Sequence, residues 1–181
     1  PEGRSEQQRH HAEPSAGERE LNNMETFEQH YSVLLKTLEK NQHTADLALI
    51  DKAVEYANVK HKFQKRKDGS PYIIHPLAVA AIVSEMGLDT DAILGALLHD
   101  CIEDTDASHD DIAKLFGETV AELVEGVTKL TRANFSSSEQ EQMENLRKMF
   151  MAMSKDIRVV LIKIADRLHN MRTMQYQTPA K

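Results

Sequence analysis

The sequence predicts an all-α protein, on three observations. Apolar residues make up 40% of the 181 residues and aromatic residues only 5%, with no Trp, which favours packed helices over a β-sandwich. From Met24 onward, apolar residues recur at intervals of three and four, the period of an amphipathic helix. No segment shows the convincing alternation of a β-strand, and the sequence contains no internal repeat. The expected architecture is therefore a helical bundle.

The N-terminal region divides into a tail and a first helix. Residues 1–23 are polar and rich in Glu, Arg and Gly, which predicts a disordered tail or an added extension. The folded domain is expected over residues 24–181. Its first helix is predicted from Met24, because Phe27 and Tyr31 and the leucines that follow share one helical face.

The next elements are separated by turn residues. A second helix is predicted over residues 45–62, and residues 64–74 then break the pattern with a Lys-Asp-Gly-Ser-Pro turn. The third helix is expected to begin at Pro76 and to end at Gly87, since Pro suits a first turn and Gly suits the residue after a helix. A fourth helix is predicted over residues 90–104.

The C-terminal half predicts four more helices. Ser108 and Asp111 have the spacing of a capping box, and Gly117 should end the helix that they begin. A polar loop is expected over residues 131–138. The remaining helices are predicted over residues 118–130, 139–154 and 156–175.

Charge and cysteine usage exclude several classes of protein. The net charge of -7 disfavours binding to duplex nucleic acid, because nothing global would neutralise its phosphates. The single cysteine, Cys101, allows no internal disulfide, which predicts a reducing, cytoplasmic location. No apolar run approaches the length of a membrane span, and the N-terminus lacks the apolar core of a signal peptide.

Four polar residues interrupt the apolar pattern of the fourth helix. His99, Asp100, Glu103 and Asp104 lie among leucines and isoleucine, and their spacing can bring them together near one end of the helix. Burying such groups without partners is costly, so they need a cation or hydrogen bonds. A divalent metal would meet that need.

The last helix carries a second polar stripe. Asp166, Asn170 and Thr173 fall at i, i+4 and i+7, while most of the helix is apolar. The simpler interpretation is a salt bridge from Asp166 to Arg167 or Arg172. A role in a polar site is the alternative.

A further histidine, His75, directly precedes Pro76 at the start of the third helix, from where it can reach a cleft. Imidazole and carboxylate together suit Mn, Fe or Zn better than Ca or Mg. Such a site with open positions can activate water and polarise a phosphoryl oxygen. Glu103 and Asp104 could then orient water or carry a proton. Each motif alone is weak, but the ordered set has one common explanation.

This ordered set resembles the HD phosphohydrolase superfamily. At a closer level the chain resembles the N-terminal hydrolase domain of Rel/SpoT proteins and the stand-alone small alarmone hydrolases, over roughly residues 44–181. The resemblance implies an HD-domain helical bundle. The matching segments are RKDGSPYIIHPLAVAAIVSEMGLDTDAILGALLHDCIEDT, FGETVAELVEGVTKL and LRKMFMAMSKDIRVVLIKIADRLHNMRTM.

The resemblance implies roles for individual residues. The metal ligands of the family fall on four positions and usually hold Mn²⁺, and its catalytic acidic pair falls on Glu103 and Asp104. The metal ligands are His75, His99, Asp100 and Asp166.

The resemblance also implies a nucleotide site and a reaction. The basic residues on the guanine side fall on Arg66 and Lys67, further nucleotide contacts fall on Asn170 and Thr173, and Tyr72 would line the same pocket. Without the resemblance, the two basic residues would be interpreted as a solvated loop. The implied reaction removes the 3′-pyrophosphate of ppGpp or pppGpp and leaves GDP or GTP.

Two departures from the family pattern leave alternatives open. The hydrolase domains of the family continue with further helices, and long Rel/SpoT proteins carry a synthetase domain that this chain lacks. We therefore expect a domain truncated at its C-terminus, with a synthetase or regulatory domain that this chain does not contain as a partner. The alternatives are an HD phosphohydrolase for another nucleotide, or a catalytically incomplete regulatory fragment that binds nucleotide.

Overall fold

Helices form all the regular secondary structure of the part of the chain that the structure describes. The computed structural model describes residues 16–41, 45–67, 69–131 and 139–173. Within these ranges the only pairing of extended backbone is an isolated bridge between Lys65 and Pro71. The all-α prediction is therefore confirmed. The helices are α1 (Ala16–Asn41), α2 (Leu47–Lys60), α3 (Ile74–Glu85), α4 (Thr90–Leu98), α5 (Cys101–Asp104), α6 (His109–Phe116), α7 (Glu118–Thr131), α8 (Glu139–Lys155) and α9 (Ile157–Thr173).

The first helix begins earlier than the sequence analysis predicted. Helix α1 begins at Ala16, so residues 16–23 are helical and not part of a tail. These residues read AGERELNN, and Ala, Glu, Arg and Leu are good helix formers. Their low apolar content concealed the helix from a periodicity argument. The rest of the predicted tail, residues 1–15, lies outside the described residues, as do most of the predicted loop (132–138) and residues 174–181.

Side-chain caps fix several helix ends where the sequence predicted them. Asp89 accepts a hydrogen bond from the backbone of Ala92 at the start of α4. Ser108 and Asp111 form the predicted capping box at the start of α6, which ends at Gly117 with a positive φ of 98°. Such caps satisfy backbone groups that the helix itself leaves unpaired, so the boundaries are set locally.

Helices α3 and α4 form the centre of the bundle. Almost every residue of both helices is buried, as expected for helices that are apolar all round. Helix α3 packs against α1, α4 and α9, while α4 packs against α2, α7 and α9. Two candidate site residues lie at the ends of these helices: His75 in the first turn of α3, and His99 directly after α4.

The predicted fourth helix is broken in two. Helix α4 ends at Leu98, His99 and Asp100 form a turn, and α5 begins at Cys101. His99 (φ −57°, ψ −32°) and Asp100 (φ −93°, ψ −6°) remain in the right-handed helical region of the backbone. Their side chains approach each other, with Oδ2 of Asp100 3.1 Å from Nε2 of His99. The prediction of one helix over residues 90–104 was therefore wrong at the position that matters for the site.

Two glycines bring α9 close to the central helices. A Cβ atom on Gly126 of α7 would lie 2.8 Å from Val159 Cγ2, and one on Gly95 of α4 would lie 3.1 Å from Ile162 Cδ1. These close approaches hold the middle of α9, with Asp166, beside the end of α4.

Among the described helices, none is both long and apolar enough to cross a lipid bilayer.

Candidate metal centre and active site

Three helices deliver the four predicted metal ligands to one place. His75 lies in the first turn of α3, His99 and Asp100 lie in the turn after α4, and Asp166 lies in the middle of α9. Ligand atoms of His75, His99 and Asp166 all lie within 4.8 Å of one another. The first and last of these positions, His75 and Asp166, are more than ninety residues apart in the sequence, so only the packing of α3, α4 and α9 assembles the group.

Asp100 completes the cluster from the side of His99. Its Oδ2 atom lies 3.1 Å from Nε2 of His99 and 3.7 Å from Nε2 of His75. Oδ1 of Asp166 lies 3.2 Å from Nε2 of His75 and 4.0 Å from Nε2 of His99. Both imidazoles therefore direct the same nitrogen, Nε2, at the two carboxylates.

The cluster is buried and not internally satisfied. His75, His99 and Asp166 are 2%, 1% and 5% exposed. Nε2 of His99 is buried and makes no hydrogen bond to any described residue. Oδ2 of Asp100 faces this nitrogen at 3.1 Å without the geometry of a hydrogen bond, and a cation between the imidazoles and carboxylates would bind both groups. The four side chains therefore fit a divalent metal, and nitrogen and oxygen donors of this kind suit Mn, Fe or Zn.

The two imidazoles have different outer hydrogen bonds. Nδ1 of His99 lies 2.8 Å from the carbonyl oxygen of Ala96, a group that can only accept. Nδ1 of His75 lies 2.8 Å from Nδ1 of His169, on α9. Such bonds on the second nitrogen orient a histidine whose first nitrogen faces a metal.

The carboxylates are held as well. Asp166 accepts hydrogen bonds from Lys163 Nζ at 2.7 Å and from Asn170 Nδ2 at 2.6 Å. Asp100 accepts one from the hydroxyl of Tyr72 at 2.6 Å. Lys163, and not Arg167 or Arg172, thus provides the close ion pair that the simpler interpretation of Asp166 required.

Mutual charge effects keep the two aspartates ionised. Burial alone would raise the pKa of Asp100, but the neighbouring His99 outweighs it and holds that pKa well below its usual range. The pKa of Asp166 is likewise lowered, because His75, His99 and Lys163 outweigh its burial. Burial lowers the pKa of His99 less than the adjacent Asp100 raises it, so that pKa rises to about 9 in the metal-free chain. Two ionised carboxylates in a buried cluster are the charge that a divalent cation needs.

The predicted acidic pair lies on α5, next to the cluster. Glu103 is half-buried and Asp104 is exposed. The hydroxyl of Tyr72 lies 3.3 Å from Oδ2 of Asp104 as well as beside Asp100, and Gln64 donates to the backbone carbonyl of Asp104. Burial, followed by the charge of Asp100, raises the pKa of Tyr72, so the hydroxyl stays a donor at neutral pH.

The predicted nucleotide-binding residues separate into a bonded group and an exposed lysine. Arg66 donates from one guanidinium nitrogen to Asn170 Oδ1 and to Thr173 Oγ1, each at 3.1 Å. These contacts connect the loop before α3 to the last turns of α9. Lys67 is exposed on the same loop. The Arg66 cluster joins the metal centre directly, because Asn170 also donates to Asp166.

Sequence reasoning missed the side chains that hold the ligands. Lys163 and His169 each lie three residues from Asp166 on α9, a spacing that places them on neighbouring positions of the helix. His61 stacks on Tyr72 with ring centroids 4.6 Å apart and hydrogen-bonds Gln64 at 2.8 Å. The helical spacing on α9 could have identified Lys163 and His169, whereas only the tertiary structure brings His61 to Tyr72.

Comparison with protein families connects this geometry to a known group. The model of the HD domain family matches residues 53–181, which include every predicted site residue. The chain belongs to the HD domain family.

Several HD-domain relatives carry names that state an activity. A probable guanosine-3′,5′-bis(diphosphate) 3′-pyrophosphohydrolase of Synechocystis is 51% identical over 142 residues, covering 78% of this chain and 19% of that protein. The bifunctional (p)ppGpp synthase/hydrolase SpoT of Escherichia coli K12 is 56% identical over 121 residues, covering 67% of this chain and 17% of that protein. This HD-domain chain thus spans about a fifth of the length of these curated relatives.

A solved structure agrees with the sequence relatives. It is described as a metazoan ortholog of SpoT that hydrolyses ppGpp, and it superposes on this HD domain with a TM-score of 0.58 at 39% sequence identity. The match covers 74% of each chain. The similarity therefore extends over most of a relative of comparable length, and not only over a part of long multidomain proteins.

Proposed function

We propose that this HD domain is a metal-dependent hydrolase that removes the 3′-pyrophosphate of ppGpp and pppGpp, giving GDP or GTP and pyrophosphate. The observation that carries the proposal is the buried cluster of His75, His99 and Asp166, with the partly buried Asp100 beside it and Nε2 of His99 left without a hydrogen bond among the described residues. The names and descriptions of the relatives supply the substrate. We further propose Mn²⁺ as the metal, in agreement with the donor set.

A bound divalent metal supplies Lewis acidity for a phosphoryl oxygen and makes water more acidic. The protein must therefore place the metal site beside the phosphorus that is bonded to the ribose 3′-oxygen. His75, His99, Asp100 and Asp166 hold the metal. Lys163 and Asn170 fix Asp166, and Tyr72 fixes Asp100, so the ligands do not reorganise during the reaction.

Glu103 and Asp104 are assigned to proton transfer. They lie on α5, three and four residues after Asp100, at the positions that the family resemblance gives to the catalytic acidic pair. A half-buried or exposed carboxylate beside a metal centre can accept a proton from water and deliver it to the leaving oxygen. The Tyr72 hydroxyl, between Asp100 and Asp104, separates the ligand from the acidic pair.

We assign nucleotide binding to the group formed by Arg66, Asn170 and Thr173. Lys67 and Tyr72 lie beside this group. The planar guanidinium of Arg66 can stack on the base, and Lys67 adds positive charge for the phosphates. Because Asn170 bonds both to Arg66 and to Asp166, the nucleotide group and the metal centre share one side chain. The Escherichia coli relative is named as both synthase and hydrolase, and we assign this chain to the hydrolase function.

The experiment measures pyrophosphate and GDP released from ppGpp by the purified chain with Mn²⁺, and again with a chelator. Asp100→Asn is the test variant, and Asp110→Asn is the matched control, because the Asp110 side chain is 85% exposed on α6. Chelator-sensitive release that is lost only in Asp100→Asn supports the proposal. Hydrolysis of deoxynucleoside triphosphates but not ppGpp would indicate a different HD reaction. Binding of Mn²⁺ and ppGpp without turnover would indicate a regulatory fragment.

A further inference from the structure

His75 uses its two ring nitrogens for different purposes. Nε2 faces the carboxylates, 3.2 Å from Asp166 and 3.7 Å from Asp100. Nδ1 lies 2.8 Å from Nδ1 of His169, and the two ring centroids are 5.0 Å apart. Both rings are buried. The contact between two imidazole nitrogens therefore lies directly behind one metal ligand.

A hydrogen bond between two imidazole nitrogens requires one donor and one acceptor. A neutral imidazole carries a proton on one nitrogen and a lone pair on the other. For Nε2 of His75 to offer its lone pair to a metal, its proton must be on Nδ1, and Nδ1 of His169 must then accept. His99 needs no such agreement, because the Ala96 carbonyl behind it can only accept.

We propose that His169 is a positioning residue that fixes the tautomer and the ring orientation of His75 for metal binding. The inference rests on the metal site of the proposed function. Helix α9 then contributes both a ligand, Asp166, and the group that orients a ligand on α3, because residues 166 and 169 are neighbours on the helix surface. If the ring of His169 only filled space, the metal affinity would not depend on whether the atom at the Nδ1 position can accept a hydrogen bond.

Two substitutions at this position separate hydrogen bonding from packing. In His169→Asn the amide oxygen can occupy the place of Nδ1 and accept the same bond, although the side chain is smaller. His169→Leu fills more of the space but removes the acceptor. The matched control is His109→Leu, since His109 lies on α6 among Asp110, Glu118 and Glu125 and not at the metal centre.

The first measurement is the Kd for Mn²⁺, by calorimetry on the metal-free chain, with circular dichroism to verify the fold. We expect His169→Leu to weaken binding by about 10–100-fold, the usual effect of losing a hydrogen bond to a metal-ligating histidine. His169→Asn should stay within a few-fold of the wild-type chain, and His109→Leu should equal it. Wild-type affinity in a folded His169→Leu chain would overturn the inference.

The second measurement reads the tautomer without any substitution. Long-range ¹H–¹⁵N spectra of the wild-type chain, loaded with diamagnetic Zn²⁺, distinguish a protonated from a metal-bound ring nitrogen. We expect His75 to retain a proton on Nδ1 and to bind through Nε2. Binding through Nδ1 would disprove the inference even if His169→Leu failed to fold. Absence of metal binding by the wild-type chain would instead contradict the metal site of the proposed function, so the two failures are distinguishable.

Discussion

In the candidate site, the charge of each side chain is set by the charges and hydrogen bonds of its neighbours. Asp100 and Asp166 remain ionised in a buried place because imidazoles and Lys163 face them. Burial and the neighbouring His75 lower the pKa of His169 to about 4, so this ring is neutral at physiological pH. Each ligand therefore has a defined outer contact, and substitutions of single atoms should have separable effects.

Asp100→Asn keeps the size of the side chain but removes its charge. We expect the loss of Mn²⁺ affinity to exceed the roughly 10–100-fold effect of an outer hydrogen bond, because a ligand itself is lost. The helices should remain, since Asp100 lies in a turn between α4 and α5. Calorimetry and circular dichroism measure the two effects. Retained turnover of ppGpp in this variant would refute the assignment of Asp100 to the metal.

Glu103→Gln separates proton transfer from metal binding. Because Glu103 is not one of the four proposed metal ligands, the Kd for Mn²⁺ should stay near the wild-type value. The value of kcat should fall by about 10²–10⁴-fold, the usual contribution of a general acid or base. Steady-state kinetics on ppGpp provides the measurement, and wild-type rates would remove Glu103 from the mechanism.

At the scale of the elements, the position of α9 decides whether the candidate site is assembled. It carries Asp166, Asn170 and Thr173, and it packs against α3, α4 and α7. Its first turn is fixed by Asp156, which accepts hydrogen bonds from the backbone and the guanidinium of Arg158, while Arg158 also reaches Asp89 at the start of α4. Close packing and one charged junction thus set the register between α9 and α4.

Gly126→Ala should push α9 away from α7. The new Cβ would lie 2.8 Å from the branched Val159, which cannot move far, so we expect a loss of about 1–3 kcal/mol in the free energy of unfolding. Gly95→Ala is the matched comparison and should cost less, because its Cβ meets the movable tip of Ile162 at 3.1 Å. Urea unfolding measures both. Equal stability of Gly126→Ala and the wild-type chain would contradict the close approach.

Asp156→Ala removes the ion pair with Arg158, so the resulting loss in the free energy of unfolding should depend on pH. Hydrogen bonds from Arg158 lower the pKa of Asp156 below its usual value of 3.8. A carboxylate with a lowered folded-state pKa stabilises the protein above its unfolded-state pKa, and the contribution disappears as the pH falls through the folded-state value. We therefore expect a loss of about 1 kcal/mol at pH 7 that shrinks below pH 4. Urea titrations across this range test it; a loss that grows toward acid pH would be inconsistent with the ion pair.

For the whole molecule, the proposed metal centre takes its ligands from α3, the turn after α4 and α9, so metal binding should stabilise the fold. Mn²⁺ at 100 times its Kd should add about 2.7 kcal/mol to the free energy of unfolding. For a chain of this size that corresponds to a rise in Tm of roughly 5–10 °C.

Thermal unfolding with Mn²⁺ and with a chelator provides the measurement. The Asp100→Asn chain is the control, because its Tm should not respond to either addition. A rise in Tm of the same size in that variant would show that the metal stabilises the protein at another place.

By itself the sequence determined the class of fold, most helix boundaries and the identity of the polar residues that need explanation. Helical periodicity, the capping box at Ser108 and the glycines that follow α3 and α6 are local signals, and local hydrogen bonds decide them. The residues His75, His99, Asp100 and Asp166 were conspicuous because charged and imidazole groups are costly in apolar surroundings. Their resemblance to the hydrolase domain of Rel/SpoT proteins agreed with the family comparison.

Only the tertiary structure decided how these residues meet. The break between α4 and α5 at His99 and Asp100 was not predicted, because the helical pattern of the sequence continues across it. The contacts of His75 with His169 and of Arg66 with Asn170 join residues about a hundred positions apart. Such contacts depend on how α3 and the loop before it pack against α9, and packing over that separation leaves no local pattern in the sequence.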